Sequence, residues 1–232
     1  MIDKKWAQTT FQVVLVVLVL IALLLTGVRL LLTNAFVQIE YNMPYFPEDG
    51  YGMTKAQRLK WGAVALDYLL NDEGIDFLGD LTFEDGTPLY IERELTHMED
   101  VKVLTGAFLK VWYADVSLLV FFAVLAQRSG RLSAFTQKLS RAGLYTIIAL
   151  GTLVLFLMLS FNAVFTGFHR IFFEGDSWLF LYSDTLIRLF PLRFWQDAFL
   201  FVGVFTLLGG LGLWLGFRSS TQKEKESTES NG

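Results

Sequence analysis

Four long apolar runs set the pattern of this chain, and polar segments separate them. The runs cover approximately residues 11–32, 103–126, 143–165 and 194–217. Each is about 20 residues long, the length that an α-helix needs to cross the hydrocarbon core of a bilayer. The pattern predicts a mainly α, polytopic membrane protein with four transmembrane helices in a single membrane domain over residues 1–217.

The first run has one feature of a signal peptide, because Lys4 and Lys5 precede it. The run is longer than the usual apolar segment of a signal, and the sequence TNAF that follows it is a poor site for a peptidase that needs small residues. We therefore expect an uncleaved helix.

Basic residues near the runs predict how the protein lies across the membrane. Residues 127–142 contain four bases and no acid, which is typical of a cytoplasmic loop. The N-terminus and the tail fall on the same side after an even number of crossings, so both termini are predicted to be cytoplasmic. The tail, residues 218–232, is too polar to bury a core and is expected to be disordered.

Residues 33–102 have the opposite charge bias, with fourteen acids and five bases, and are expected to form a small extracytoplasmic α/β cap. Thr54 is a typical N-cap residue for a helix over residues 55–70. The segment LTFEDGTPLYI predicts two short strands around a turn at residues 84–88. An aromatic outer loop, residues 166–193, is expected at the membrane surface. The apolar stripe expected on the cap helix is Leu59, Ala63, Leu66 and Leu70.

Composition removes several kinds of chemistry. The chain has 232 residues, is 53% hydrophobic and contains no cysteine, which excludes disulfides, thiolate zinc sites and a cysteine nucleophile. It has no GxSxG elbow, no Walker loop and no GxGxxG after a strand. Serine-hydrolase and nucleotide chemistry are therefore not expected, and no nucleic-acid partner is predicted.

The two histidines, His97 and His169, are 72 positions apart, yet each lies near the outer end of a predicted span. An imidazole is a natural proton carrier at neutral pH. The alternative is that each is an interfacial residue that satisfies backbone groups. A metal site would need a third ligand, and no known spacing such as HExxH is present. The acids near the histidines in sequence are Glu94, Glu99, Asp100, Glu174 and Asp176.

The surroundings of each histidine allow a structural explanation as well. Thr96 and Glu99 fit a capping box at a helix start. The rings around His169 either form an aromatic belt at the membrane interface or wall a lipid-binding pocket. Within the spans, Lys110 is expected to snorkel and Asp115 to have a structural partner. The rings are Phe165, Phe168, Phe172, Phe173, Trp178 and Phe180.

Three segments carry a resemblance to a known family: RELTHMEDVK, FHRIFFEGDSWLF and SDTLIRLFP. Together with four spans and an outer cap, they make the chain resemble the lipoprotein intramolecular transacylases, called Lit, from the first span to about residue 217. The resemblance implies a bacterial cell-membrane enzyme that acts at the outer leaflet on diacylglyceryl-modified lipoproteins. It implies transfer of the sn-2 acyl chain to the cysteine α-amino group, with no cofactor and no obligate protein partner.

The resemblance also implies roles for residues of this chain. Its catalytic histidine pair matches His97 and His169, and we expect His97 to be the base and His169 the donor to the oxyanion and leaving oxygen. The residues expected to support the pair or to bind substrate are Arg93, Glu94, Glu99, Asp100, Phe168, Arg170, Phe172, Phe173, Asp176 and Trp178. The alternatives are a metal-dependent, outward-facing lipid hydrolase and a non-catalytic membrane partner or sensor.

Overall fold

Helices build the fold. The computed structural model describes residues 2–229, with side chains for residues 5–152, 154 and 160–218. In chain order the helices are α1 (Ile2–Leu31), α2 (Asn34–Tyr41), α3 (Lys55–Leu70), α4 (Asp76–Gly79), α5 (Glu92–Arg128), α6 (Leu132–Leu159), α7 (Phe161–Phe172), α8 (Thr185–Leu189) and α9 (Leu192–Glu229). The mainly α architecture is confirmed.

Over the described residues, three helices are long and apolar enough to cross a membrane: Lys5–Leu31, Glu92–Arg128 and Leu192–Arg218. They contain the first, second and fourth apolar runs of the sequence. The third run falls on α6 and α7, and several of its side chains lie outside the described residues. The fourth transmembrane helix therefore remains a prediction.

Three helices begin well before the apolar runs indicate, and α1 starts at Ile2 instead of near residue 11. α5 starts at Glu92 instead of near residue 103, and α6 starts at Leu132 instead of near residue 143. Hydropathy detects only the part of a helix that crosses lipid, whereas glutamate, lysine and arginine continue a helix readily into the polar flank. As a result His97 lies inside α5, two turns before the apolar run.

The capping box expected at Thr96 and Glu99 is wrong, because the helix has already begun. Thr96 is in the helix, where its hydroxyl donates to the carbonyl of Glu92. The first turn is closed instead by Glu94, whose carboxylate accepts from the backbone N–H of Ile91 at 3.0 Å. At the other end of the chain, the backbone of α9 continues through Glu229. The side chains from residue 219 onwards lie outside the described residues, and the disorder of the tail remains a prediction.

The cap helix α3 begins where the sequence predicts. Thr54 accepts from the N–H of Gln57, and the Gln57 side chain returns a bond to the N–H of Thr54, which completes a capping box. The buried face is offset from the predicted stripe, since Leu66 is buried but Leu70 is 41% exposed.

The two strands expected in the cap are not formed within the described residues. Only one antiparallel bridge, between Thr82 and Pro88, is present. Pro88 has no N–H to donate to a ladder, and α5 takes over the chain from Glu92 onwards, so the second strand has too little length. In place of the predicted α/β cap, the described residues of the cap form helices joined by turns and loops.

Compact packing divides the chain into two units. Unit 1 consists of Met1–Val28, Lys110–Leu155 and Phe201–Gly232. In it, helices approach closely at glycine: a Cβ on Gly143 would lie 2.5 Å from the carbonyl oxygen of Gly210. Small residues at helix crossings are typical of membrane bundles.

Unit 2 consists of Arg29–Leu109 and Phe156–Leu200 and holds the cap and both histidines. Its main core joins α3, the start of α5 and α8 through buried apolar side chains. A buried arginine, Arg58, donates to the carbonyls of Pro47 and Arg188, which ties the cap loop to the end of α8. The core residues are Met53, Ala65, Tyr68, Leu78, Leu89, Tyr90, Met98, Leu186 and Leu189.

Candidate active site

The two histidines face each other inside unit 2. α5 contributes His97 and α7 contributes His169, and their ring centroids are 6.2 Å apart with 20° between the ring planes. His97 is 8% exposed and His169 is 9% exposed. The expectation that two residues distant in sequence share one level is met, and the imidazoles are close enough to act on one substrate.

Aromatic rings enclose the pair. The ring centroid of His97 lies 4.8 Å from that of Phe173 and 5.2 Å from that of Phe180. The ring of His169 lies 4.2 Å from Phe165 and 4.9 Å from Trp178. These rings therefore pack directly on the imidazoles.

A tight turn after α7 returns the chain over His169. The N–H of Phe173 donates to the carbonyl of His169 at 2.8 Å and ends the helix. Gly175 then adopts φ +61°, a conformation that side chains rarely allow. The indole N–H of Trp178 donates back to the carbonyl of Gly175 at 3.2 Å, which holds its ring beside the imidazole.

The orientation of His169 is fixed by a hydrogen bond. Its Nδ1 lies 2.8 Å from the carbonyl oxygen of Phe165, one helical turn earlier. A carbonyl only accepts, so Nδ1 carries the proton and Nε2 of the neutral ring has a free lone pair. Burial holds the pKa of His169 below its ordinary value of 6.5, and the Phe165 carbonyl partly offsets this effect. The neutral, proton-accepting form is therefore the resting form at neutral pH.

His97 is held in another way. Its Nδ1 is buried and has no hydrogen-bond partner. A buried N–H without a partner costs more than a buried lone pair that remains unused, so the proton is best placed on Nε2. The orientation of this ring depends on the side chains packed against it.

Two carboxylates tie the segment after the turn to the first turn of α5. Glu94, which is 1% exposed, accepts from the N–H groups of Ile91 and Leu186. Asp184 accepts from the N–H of Leu181 and forms an ion pair with Arg93. Glu94, which was expected to support the histidine pair or to bind substrate, thus bonds to backbone N–H groups. Asp184 was missed, although Ser-Asp-Thr before a short helix is an N-cap signal.

The other predicted site residues are either aromatic residues of α7 or exposed charged residues. Phe168 lies 5.6 Å from the ring of His169, whereas Phe172 packs on Phe108 and Phe168 and is 43% exposed. The exposed residues, which have no described bond to either histidine, are Glu99, Asp100, Arg170, Glu174 and Asp176.

Within the described part of the chain, no three His, Asp or Glu side chains are placed to hold a metal ion, so no observation favours the metal alternative. In unit 1, Lys110 is exposed, in keeping with a snorkelling side chain. Asp115 is 6% exposed and its Oδ2 has no described partner, so the structural partner expected for this oxygen is not found.

These features define a multi-pass helical membrane protein with a buried, aromatic-walled histidine pair. Residues 13–195 match the family described as lipoprotein intramolecular transacylase Lit. The chain belongs to this family. An uncharacterized protein of Aquifex aeolicus (strain VF5) is 32% identical over 190 residues, which are 79% of this chain and 82% of the relative.

Solved structures show the same fold. The membrane-integral lipoprotein intramolecular transacylase Lit of Bacillus cereus superposes with a TM-score of 0.66 at 16% identity, over 96% of this chain and 99% of that one. A variant of the Bacillus protein with one histidine replaced by arginine gives a TM-score of 0.62 at 18% identity, over 97% and 98%. The predicted family resemblance is confirmed by the family match.

Proposed function

We propose that this protein moves the sn-2 acyl chain of an S-diacylglyceryl-cysteine lipoprotein to the α-amino group of the same cysteine. The product is the lyso form, an N-acyl S-monoacylglyceryl lipoprotein. The observation that carries the proposal is the enclosed pair of His97 and His169, with its 6.2 Å separation and the fixed tautomer of His169. Family membership supports a lipoprotein as the substrate.

The reaction needs a base and a donor, and the hydrogen bonds support an assignment opposite to the one that the sequence suggested. An α-amino group has a pKa of about 7.7–8.0 and attacks an ester in its neutral form, and its nitrogen must then lose one more proton as the amide forms. Nε2 of His169 accepts this proton. The Nε2–H of His97 donates a hydrogen bond to the oxyanion that develops on the acyl carbonyl.

The bonds and protons balance without an acyl-enzyme. The amine nitrogen attacks the sn-2 acyl carbon, and collapse of the tetrahedral intermediate breaks the bond from that carbon to the glycerol oxygen. The imidazolium of His169 then gives its proton to the leaving alkoxide, which restores the neutral base. The net change is one acyl group moved from oxygen to nitrogen and one proton moved from nitrogen to oxygen.

The aromatic wall has a role in this scheme. Attack closes an eight-membered ring through the cysteine, its sulfur and two glycerol carbons, and such a ring is entropically unfavourable in a free lipid. A pocket that holds both ends together lowers this barrier. The rings of Phe165, Phe173, Trp178 and Phe180 pack on the imidazoles and are suited to that task.

Mass spectrometry of a lipoprotein tests the proposal. The full chain and its His97→Ala and His169→Ala variants are expressed in a bacterium that lacks its own N-acylation step, with the exposed neighbour Thr96→Ala as the matched control. The wild type and the control should leave the mass of the lipopeptide unchanged but place one acyl chain on the cysteine nitrogen. The two histidine variants should leave the diacylglyceryl form. An untouched lipopeptide with the wild type would rule the proposal out.

We further propose that the site faces the outer leaflet and that both termini are cytoplasmic. The basic residues of 127–142 and the acidic bias of 33–102 support this orientation. Because the chain has no cysteine, single Ser129→Cys and Ser183→Cys variants can each report one side through a membrane-impermeant maleimide. The reagent should label the Ser183 variant in intact cells and the Ser129 variant only after permeabilisation, and the reverse result would contradict the orientation.

A further inference from the structure

The segment that carries Phe180 is anchored by one carboxylate. Oδ2 of Asp184 accepts from the N–H of Leu181 at 2.8 Å and from Nη2 of Arg93 at 2.5 Å. The Asp184 side chain is 8% exposed and that of Arg93 is 41% exposed. One buried carboxylate oxygen of Asp184 thus links the residue after Phe180 to the first turn of α5.

The guanidinium of Arg93 also touches the ring that this anchor controls. Its Cζ lies 5.6 Å from the ring centroid of Phe180, within the range of a cation–π contact. Phe180 also contacts His97, with an interplanar angle of 64° and centroids 5.2 Å apart. Phe180 therefore contacts both the arginine of the ion pair and a histidine that has no hydrogen bond on Nδ1.

Different contacts hold the two histidines, and this difference indicates which histidine depends on Asp184. His169 keeps its orientation through the bond from Nδ1 to the Phe165 carbonyl. His97 has no hydrogen bond on Nδ1, and its described ring contacts are with Phe173, Phe180 and the other imidazole. Loosening of Phe180 should disturb His97 and leave His169 in place.

We propose that Asp184 is a positioning residue of the histidine pair, because its carboxylate holds Phe180 against the imidazole of His97. This inference rests on the transacylase function proposed above. It predicts that the residue acts on turnover through Phe180 and not by contact with the substrate.

The test uses the full chain in detergent micelles with a synthetic diacylglyceryl lipopeptide, and measures kcat and KM. Asp184→Asn keeps the size of the side chain but weakens the bonds to Arg93 and Leu181. We expect kcat to fall about tenfold or more while KM changes less than about twofold, because the substrate still binds but meets a misplaced His97. Glu92→Gln, which removes an exposed carboxylate next to Arg93, is the matched control and should behave as the wild type.

A double-mutant cycle separates positioning from a general loss of stability. Phe180→Ala should lower kcat by a similar factor, and the double variant with Asp184→Asn should be no slower than the slower single variant, because both act on one contact. If the falls in kcat of the two single variants multiplied in the double variant, the inference would be overturned. A wild-type kcat in the Asp184→Asn protein would overturn it as well.

Three further outcomes are distinguishable. If Asp184→Asn does not fold, Arg93→Gln removes the exposed partner of the same ion pair. The kcat of Arg93→Gln must then fall, and combination with Phe180→Ala must lower kcat no further. If the wild type itself makes no N-acyl product, the proposed function fails. If the wild type is active but neither variant slows turnover, only the positioning role fails.

Discussion

Replacement of His169 by asparagine removes the proposed base and keeps the bond that orients it. The side-chain amide of asparagine places an N–H where Nδ1 of the imidazole stands, so it can still donate to the carbonyl of Phe165, 2.8 Å away in the wild type. What disappears is the far half of the ring with Nε2. The variant should therefore fold with the local backbone of α7 intact and lack the group that accepts the amine proton.

The expected magnitudes follow from these losses. A positioned general base typically contributes 10²–10⁴-fold in rate, so turnover should fall by at least about a hundredfold, or about 3–5 kcal/mol in activation free energy. The imidazole loses its packing on Phe165 and Trp178, but the hydrogen bond remains, so the cost in stability should be about 1 kcal/mol.

The assay compares His169→Asn with His97→Asn in micelles on one lipopeptide, and follows both turnover and thermal unfolding. Nδ1 of His97 has no hydrogen bond that an asparagine could keep. The His97→Asn variant therefore tests only the loss of the Nε2–H group that is proposed to donate to the oxyanion. Wild-type turnover from a folded His169→Asn protein would refute the assignment of His169 as the base.

Three other predictions concern pH and packing. The substrate α-amino group has a pKa of about 7.7–8.0, so its protonation should lower kcat as pH falls through that range. The pKa of His169 is lowered and its neutral form is the base, so a second acidic limb of kcat should begin only below about pH 6.5, with His97 the other titratable residue of the site. Burial, with a neighbouring carboxylate, raises the pKa of Glu40 to about 7 from 4.5, so its contribution to stability is lost as pH rises between these values. Glu40→Gln should remove this dependence in thermal unfolding. Gly143→Ala should cost about 1–3 kcal/mol, because its Cβ would meet a backbone oxygen at 2.5 Å, whereas Gly151→Ala meets nothing within 4 Å and is its control.

Each of these predictions has a contradicting result. A second acidic limb of kcat that begins above about pH 6.5 would mean that burial does not lower the pKa of His169. An unchanged pH dependence of unfolding in Glu40→Gln would place the titration on another group. Equal thermal unfolding of the two glycine variants would mean that the close helix approach at Gly143 is wrong.

Three of the membrane helices were predictable because about 20 apolar residues in a row have few other stable uses in a protein. Their starts were not, since α5 continues through the charged turn from Glu92, where hydropathy gives no signal. The start of α3 was predictable because Thr54 and Gln57 satisfy backbone groups locally. The two short strands predicted around the turn at residues 84–88 do not form in the described part of the chain, and only the bridge between Thr82 and Pro88 is present, because Pro88 has no N–H to donate.

The approach of the two histidines was predictable, and the hydrogen bonds around them were not. Matched positions relative to the spans indicated that His97 and His169 share a level, because topology alone sets depth. The proton position on His169 depends on the carbonyl of Phe165, a backbone group that side-chain patterns do not reveal. Asp184 acts across 91 positions of sequence from Arg93, and only the fold brings the two together.

A crossover experiment tests the central claim most directly. Two lipopeptides that differ in peptide mass carry sn-2 acyl chains with different isotope labels, and both are given together to the purified protein. The account predicts that each label moves to the amine of its own peptide, so fragmentation shows no crossed products. Crossed labels would show transfer between molecules, and labelled free fatty acid in place of N-acyl product would show a hydrolase; either result would contradict an intramolecular transacylase.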